Sequence, residues 1–182
     1  RGLVHSEMPE QESGQMRGFQ LWVNLPARDK MTAPKYQEFA PGKIPVVQPA
    51  EGVQVKVIAG TVEGTAGPIA QPATDPLYLD IALEADRAWT YSLPEGHNAF
   101  VYVFEGGLTV GEQDAARDVA RQELAVLGGG EQLHLSAGSD GARLILVAGR
   151  PLREPVMRHG PFVMNTREEL MQAFVDFQEG RF

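Results

Sequence analysis

Cysteine is absent from the 182 residues. That excludes disulfides, thiolate nucleophiles and cysteine-based zinc knuckles together, and it suits a reducing compartment. No apolar run approaches the roughly 20 residues that a membrane-spanning helix needs. Basic residues are also short in supply, with 16 Lys and Arg against 24 Asp and Glu, a net charge of −8. Nucleic acids and anionic membranes call for a basic face, so neither is an expected partner. Docking onto another protein stays open. No Gly-x-Ser-x-Gly elbow is present, and Gly128-Gly129-Gly130 precedes no helical pattern that would make it a phosphate cradle.

What the chain has in quantity is glycine and proline, 20 and 13 residues, which suits many short strands joined by tight turns. Val53 to Gly60 alternates cleanly, and Leu77 to Leu83 and Trp89 to Leu93 read as further strands. Ala99 to Glu105 and Gly107 to Gly111 read as a hairpin turning at Glu105-Gly106-Gly107. Glu123 to Leu127, Glu131 to Leu135 and Ala142 to Ala148 complete the set, with Ala137 to Gly141 as a turn. Gly18 to Pro26 also alternates, stops at Pro26, and places Trp22 in a core. Ala27 to Pro49, rich in proline and charge, reads as extended linker. Near the end, Thr166-Arg167-Glu168-Glu169 forms a capping box. Leu170, Ala173, Phe174 and Phe177 follow as one apolar stripe, with Gly180 as the C-terminal stop.

The candidate chemistry lies at the start of the chain. His5 and Glu7 sit two apart in Arg1 to Pro9, which reads as a strand or its end. Side chains at i and i+2 of a strand share a face, so an imidazole and a carboxylate aim at one point. Such donors suit Fe(II), Ni(II), Mn(II) or Zn(II). His97, His134 and His159 are scattered and read as hydrogen-bonded structural residues, and Phe162, Phe174 and Phe177 as tail core contacts. Glu168 and Glu169 are adjacent on a helix, face different ways, and make a cap and no catalytic dyad.

Several segments together resemble the pirin family, bicupins of the cupin superfamily. They are Arg-Gly-Leu-Val-His-Ser-Glu-Met-Pro (1–9), Leu21 to Pro26, Met31 to Pro45 with Tyr36-Gln37-Glu38, Pro151 to Val156, and His159 to Thr166. The resemblance implies a mostly β chain. A cupin (RmlC-like jelly-roll) barrel would be preceded by strands of another cupin barrel and followed by one C-terminal helix. Residues 1–40 would be the closing strands of an incomplete first, metal-binding barrel, 41–49 a linker, 50–150 a second cupin domain without metal, and 151–182 the signature tail and helix.

The family's iron site implies His5 and Glu7 as two of four ligands, with two further histidines expected upstream and absent from these residues. Fe(II) is the implied cofactor, other divalent transition metals being open. The implied activity of the intact protein is quercetin (flavonol) 2,3-dioxygenation, with Glu7 as catalytic proton acceptor and a flavonol-like small molecule as partner. A second implied role is non-enzymatic: an iron-dependent, redox-sensing regulator that binds transcription factors or metabolic enzymes. A third use of the scaffold is a different small substrate. An incomplete first barrel would expose Leu3, Val4, Leu21 and Val23, so pairing with a second copy or a complementing fragment is expected. The expected location is a bacterial cytoplasm.

Overall fold

The computed structural model describes residues 2–6 and 13–181. They divide into two compact units, Glu38–Pro151 and a second made of Arg1–Gln37 with Leu152–Phe182. The chain is mostly β, a cupin jelly-roll with one C-terminal helix. No helix among the described residues is long and apolar enough to cross a membrane.

The first unit holds ten strands: β1 (Val46–Ala50), β2 (Val53–Ala59), β3 (Thr61–Val62), β4 (Thr65–Ala66), β5 (Leu77–Leu83), β6 (Ala88–Ser92), β7 (Asn98–Val110), β8 (Arg117–Val119), β9 (Leu124–Val126) and β10 (Gln132–Gly149). The main sheet runs β1-β2-β5-β10-β7-β8, with β6 also pairing β10 and β9 pairing β7, and every pairing is antiparallel. Alternation explains the core. Val53, Val55 and Val57 of β2 and Leu77, Leu79, Ile81 and Leu83 of β5 point one way and are buried, while their neighbours face out. Trp89, Val101, Val103, Leu135, Leu144 and Leu146 close the same cluster. At roughly 1.5–3 kcal/mol for each fully buried aliphatic side chain, this cluster dominates the stability of the unit.

Two expectations are corrected here. Glu105-Gly106-Gly107 and Ala137 to Gly141 are not hairpin turns but bends inside the continuous strands β7 and β10. The inward face changes phase at each bend: Val101 and Val103 give way to Leu108 and Val110, and Leu133 and Leu135 to Leu144 and Leu146. Register shifts between β7 and β10 fall at the same places, as bulges require. The proposed linker is corrected as well: Val46 to Pro49 belong to β1, with Val46 opposite Lys56 and Val47 opposite Val55. Pro49 is tolerated because β1 is an edge strand. Between β2 and β5, β3 and β4 form a hairpin with a two-residue turn.

Tyr91 reaches from β6 to donate its hydroxyl to the Thr61 carbonyl at 2.9 Å, and burial raises its pKa above the ordinary 10.0. The folded state therefore holds this proton to higher pH than the unfolded chain does. The resulting stability is intact below about pH 10 and is lost as pH rises through the folded-state value. Tyr78 is shifted the same way, by burial and then by Asp80. Denaturant midpoints measured from about pH 8 to 11.5 are expected to fall above about pH 10, and less steeply in Tyr91→Phe. An equal slope in the variant would assign the alkaline loss elsewhere.

The second unit carries β11 (Met157–His159), β12 (Phe162–Met164) and α1 (Arg167–Gln178). Both halves of the capping box form: Glu169 N–H donates to Thr166 Oγ1 at 3.1 Å, and Thr166 N–H to Glu169 Oε2 at 2.9 Å. The helix ends in a Schellman pattern around Gly180, at φ 67°, with Gly180 N–H on Phe177 O and Arg181 N–H on Asp176 O. Leu170 and Ala173 are buried, and Phe162 meets Phe174 edge-to-face at 4.9 Å and Phe177 at 5.9 Å. Residues 2–6 and 13–26 carry no ladder among the described residues, although strands are expected in Arg1 to Pro9 and, from alternation, in Gly18 to Pro26. Trp22 is corrected from core to surface, at 69% exposure. Of the four residues expected to be exposed, Leu3, Val4 and Val23 are, while Leu21 is half-buried.

Candidate ligand site around His5

Of the two proposed ligands, His5 is described and Glu7 lies outside the described residues. His5 lines a hollow of about 550 Å³ within the second unit. The tail hairpin and helix supply one wall, through Phe162, Met164 and Phe177, and the segment Trp22 to Leu25 supplies another. Among the described lining residues His5, Asn24 and Lys30 bring polar side chains and Trp22 an indole N–H, and none brings a carboxylate. Its size falls within the roughly 300–1,000 Å³ typical of small-molecule pockets, and its makeup, apolar with few polar groups, matches them as well.

Lys30 comes to this wall through local chain geometry. Pro26 sets an extended backbone, and Ala27–Asp29 then form one turn of 3₁₀ helix with Lys30 at its end. Glu154 clamps that turn, accepting from Ala27 N–H at 2.7 Å and from Asn165 Nδ2 at 3.0 Å. The Lys30 ammonium donates to Asn24 Oδ1 at 2.6 Å. Desolvation lowers its pKa below the ordinary 10.5, with Glu154 and Glu169 pulling the other way. Both carboxylates are already engaged, Glu154 as above and Glu169 by Asn165 N–H and Thr166 N–H at 3.1 and 2.9 Å. Nothing in the sequence singled out Lys30. It lies in a charged, proline-rich stretch, where a lysine reads as a solvated surface group.

The other histidines do not converge on this hollow. His97 is almost wholly buried, with Nε2 2.9 Å from the Asp75 carbonyl and Nδ1 3.2 Å from the Glu95 carbonyl. Carbonyls only accept, so a neutral ring satisfies one of the two contacts at a time. His134 Nδ1 lies 2.9 Å from Thr90 Oγ1 and 3.0 Å from Glu112 Oε1. The His159 ring stands edge-to-face with Phe174 at 5.4 Å, a packing contact. In the first unit the buried residues are apolar apart from Thr74 and the buried side chain of His97. Among the described residues, no three or more His, Asp or Glu side chains gather as a metal-holding group. A lone imidazole does not hold a transition metal, so the described residues do not compose a metal centre by themselves.

Residues 78–182 match the family described as the Pirin C-terminal cupin domain. A pirin-like protein of Caulobacter vibrioides is 54% identical over the whole chain, which covers 64% of that relative. A Pseudomonas aeruginosa protein that carries a provisional quercetin 2,3-dioxygenase name is 46% identical over 98% of the chain and is likewise covered over 64% of its length. Among solved structures, a quercetin 2,3-dioxygenase from Acinetobacter baumannii superposes with a TM-score of 0.80 at 36% identity, covering 88% of this chain and 55% of its own. The chain thus spans just under two thirds of the length of these curated relatives.

Proposed function

The chain belongs to the pirin family, and from that premise we propose that the whole protein is a metal-dependent oxygenase of the quercetin 2,3-dioxygenase type. Fe(II) is the proposed metal, and His5 and Glu7 supply two of its ligands. In this proposal the remaining two imidazoles lie on sequence outside these 182 residues. The observation that carries it is the place of His5: a histidine in the wall of an apolar hollow of about 550 Å³. The names of the Pseudomonas and Acinetobacter relatives support the choice of reaction. An apolar cavity lined by Trp22 and Phe162 suits a flat polyphenol, because aromatic faces bury large area with defined geometry.

Iron content by elemental analysis, together with quercetin consumption under air, tests this on the full-length protein. Partners in the outer shell of a metal site are already worth about 10–100-fold, so His5→Ala is expected to lower turnover by more than about 100-fold and to lower bound iron. Iron retained with no quercetin consumption in the parent protein would overturn the enzymatic proposal and favour a regulatory partner-binding role, with which the net charge of −8 agrees. No metal in the parent protein would overturn both.

A further inference from the structure

We infer that Glu154 is the positioning residue of the His5 hollow: it ties the two walls together from outside, and the spacing it sets between them governs how tightly the hollow holds a ligand. This deepens the function proposed above. It rests on the hollow being a ligand site, and on neither a bound metal nor turnover.

Four observations carry it. The first is connectivity. Glu154 is not a lining residue, yet its Oε2 accepts from both sides of the hollow. Ala27 N–H, 2.7 Å away, follows the wall segment Trp22 to Leu25 by two residues. Asn165 Nδ2, 3.0 Å away, follows Met164 of the facing wall by one. Glu154 and Ala27 are 127 positions apart, so local chain geometry does not bring them together. The second is rigidity. Arg153 stands at φ 54°, a left-handed backbone that a non-glycine residue keeps only when its surroundings impose it. Pro155 follows Glu154 and restricts it to an extended backbone. On the other side of the bond, Pro26 fixes the chain just before Ala27. The tie therefore has little slack at either end.

The third is the state of Asn165. Its Nδ2 spends both N–H groups, on Glu154 Oε2 and on the Pro155 carbonyl, each at 3.0 Å. Its Oδ1 is buried with no hydrogen-bond partner among the described residues. The opposite amide orientation would set that oxygen against a carboxylate and a carbonyl, lone pair against lone pair. Glu154 thus holds Asn165 to one orientation at the expense of its oxygen. The fourth is charge. Desolvation lowers the Lys30 pKa and Glu154 opposes it, favouring the ammonium that donates to Asn24 Oδ1 within the Trp22 to Leu25 wall.

Two variants separate the tie from the charge. Both hydrogen bonds end on a single oxygen, and a carbonyl oxygen has two lone pairs to receive them. Glu154→Gln keeps such an oxygen and loses the charge, whereas Glu154→Ala loses both. In the full-length protein, backbone amide exchange read by mass spectrometry reports the tie, and the neutral fluorescent probe N-phenyl-1-naphthylamine reports binding. Glu154→Ala is expected to speed exchange over residues 27–30 by about tenfold, the size of one hydrogen bond to a charged group. It is expected to weaken the probe about tenfold as well, because the walls are no longer preset. Exchange in α1, β5 and β10 is expected to match the parent, which also reports that the variant is folded. Glu154→Gln is expected to stay within about threefold of the parent on both readouts. Trp22→Ala is expected to weaken the probe, which places it in this hollow.

Exchange that rises through α1 as well would make Glu154 a stabiliser of the tail and overturn the inference. Faster exchange over residues 27–30 with unchanged probe affinity would show that wall spacing does not govern binding, and would overturn it too. A Glu154→Gln protein as impaired as Glu154→Ala would assign the effect to charge and remove the tie. Failure of the probe to bind the parent protein, or probe binding untouched by Trp22→Ala, would overturn the hollow as its ligand site and the inference with it. If quercetin turnover fails while the exchange and probe results hold, the dioxygenase proposal falls and the positioning role stands.

Discussion

Gly106→Ala is expected to unfold much of the barrel unit, while Gly107→Ala, one residue along, is expected to be nearly silent. Gly106 sits at φ 69° in the bend of β7, and a Cβ added there would lie 2.0 Å from the Gly141 carbonyl oxygen and 2.8 Å from its carbon. Both partners are backbone, so neither moves aside by a rotamer change. Gly141 is itself held at φ 73°, where its own Cβ would stand 2.8 Å from Leu83 O. The two glycines let β7 and β10 cross closely where both strands change the face they bury. A left-handed backbone at a non-glycine residue and a forced overlap in a packed region each cost about 1–3 kcal/mol, so Gly106→Ala is expected to lose about 3–5 kcal/mol. An added Cβ at Gly107 meets nothing within 4 Å, and its φ is not positive. Its replacement is expected to change stability by no more than about 1 kcal/mol. Urea unfolding followed by far-ultraviolet circular dichroism measures both. Equal losses in the two variants would mean that the bend does not depend on this close crossing.

The same bend shows where a sequence stops being informative. Val53, Val55 and Val57, then Leu77, Leu79 and Ile81, announce inward faces by strict alternation, and every one of them is buried. Thr166 and Glu169 announce a helix start by chemistry that is local to four residues, and both hydrogen bonds form. A glycine at a bulge and a glycine at a hairpin carry the same local signal. The choice between them at Gly106 is made by Gly141, 35 positions away, through a pairing no local pattern reveals. Trp22 fails for a related reason. Alternation tells which residues share a face, but burial depends on what covers that face. For Lys30 the decisive neighbours are Asn24, Glu154 and Glu169, gathered from three separate segments. The shared face read from the spacing of His5 and Glu7 requires a strand, residues 2–6 carry none, and Glu7 lies outside the described residues.

On the proposed function, Glu7→Gln is expected to lower kcat for quercetin by about 10²–10⁴, the usual contribution of a placed general base. Glutamine keeps the length of the side chain and one carbonyl oxygen, so it still offers a donor atom, but it carries no charge and accepts no proton at neutral pH. Substrate recognition, assigned here to the aromatic walls, does not pass through Glu7. KM is therefore expected to stay within about threefold, since the lost interaction belongs to the transition state and not to ground-state binding. Oxygen uptake across a range of quercetin concentrations, with iron measured on the same samples, reads both parameters. A Glu7→Gln protein that keeps its iron and its full turnover would place the proton acceptor on another residue. One that loses iron in proportion to turnover would make Glu7 a ligand and no more. A fall in kcat at constant iron, with KM unmoved, would make Glu7 the carboxylate that handles the proton.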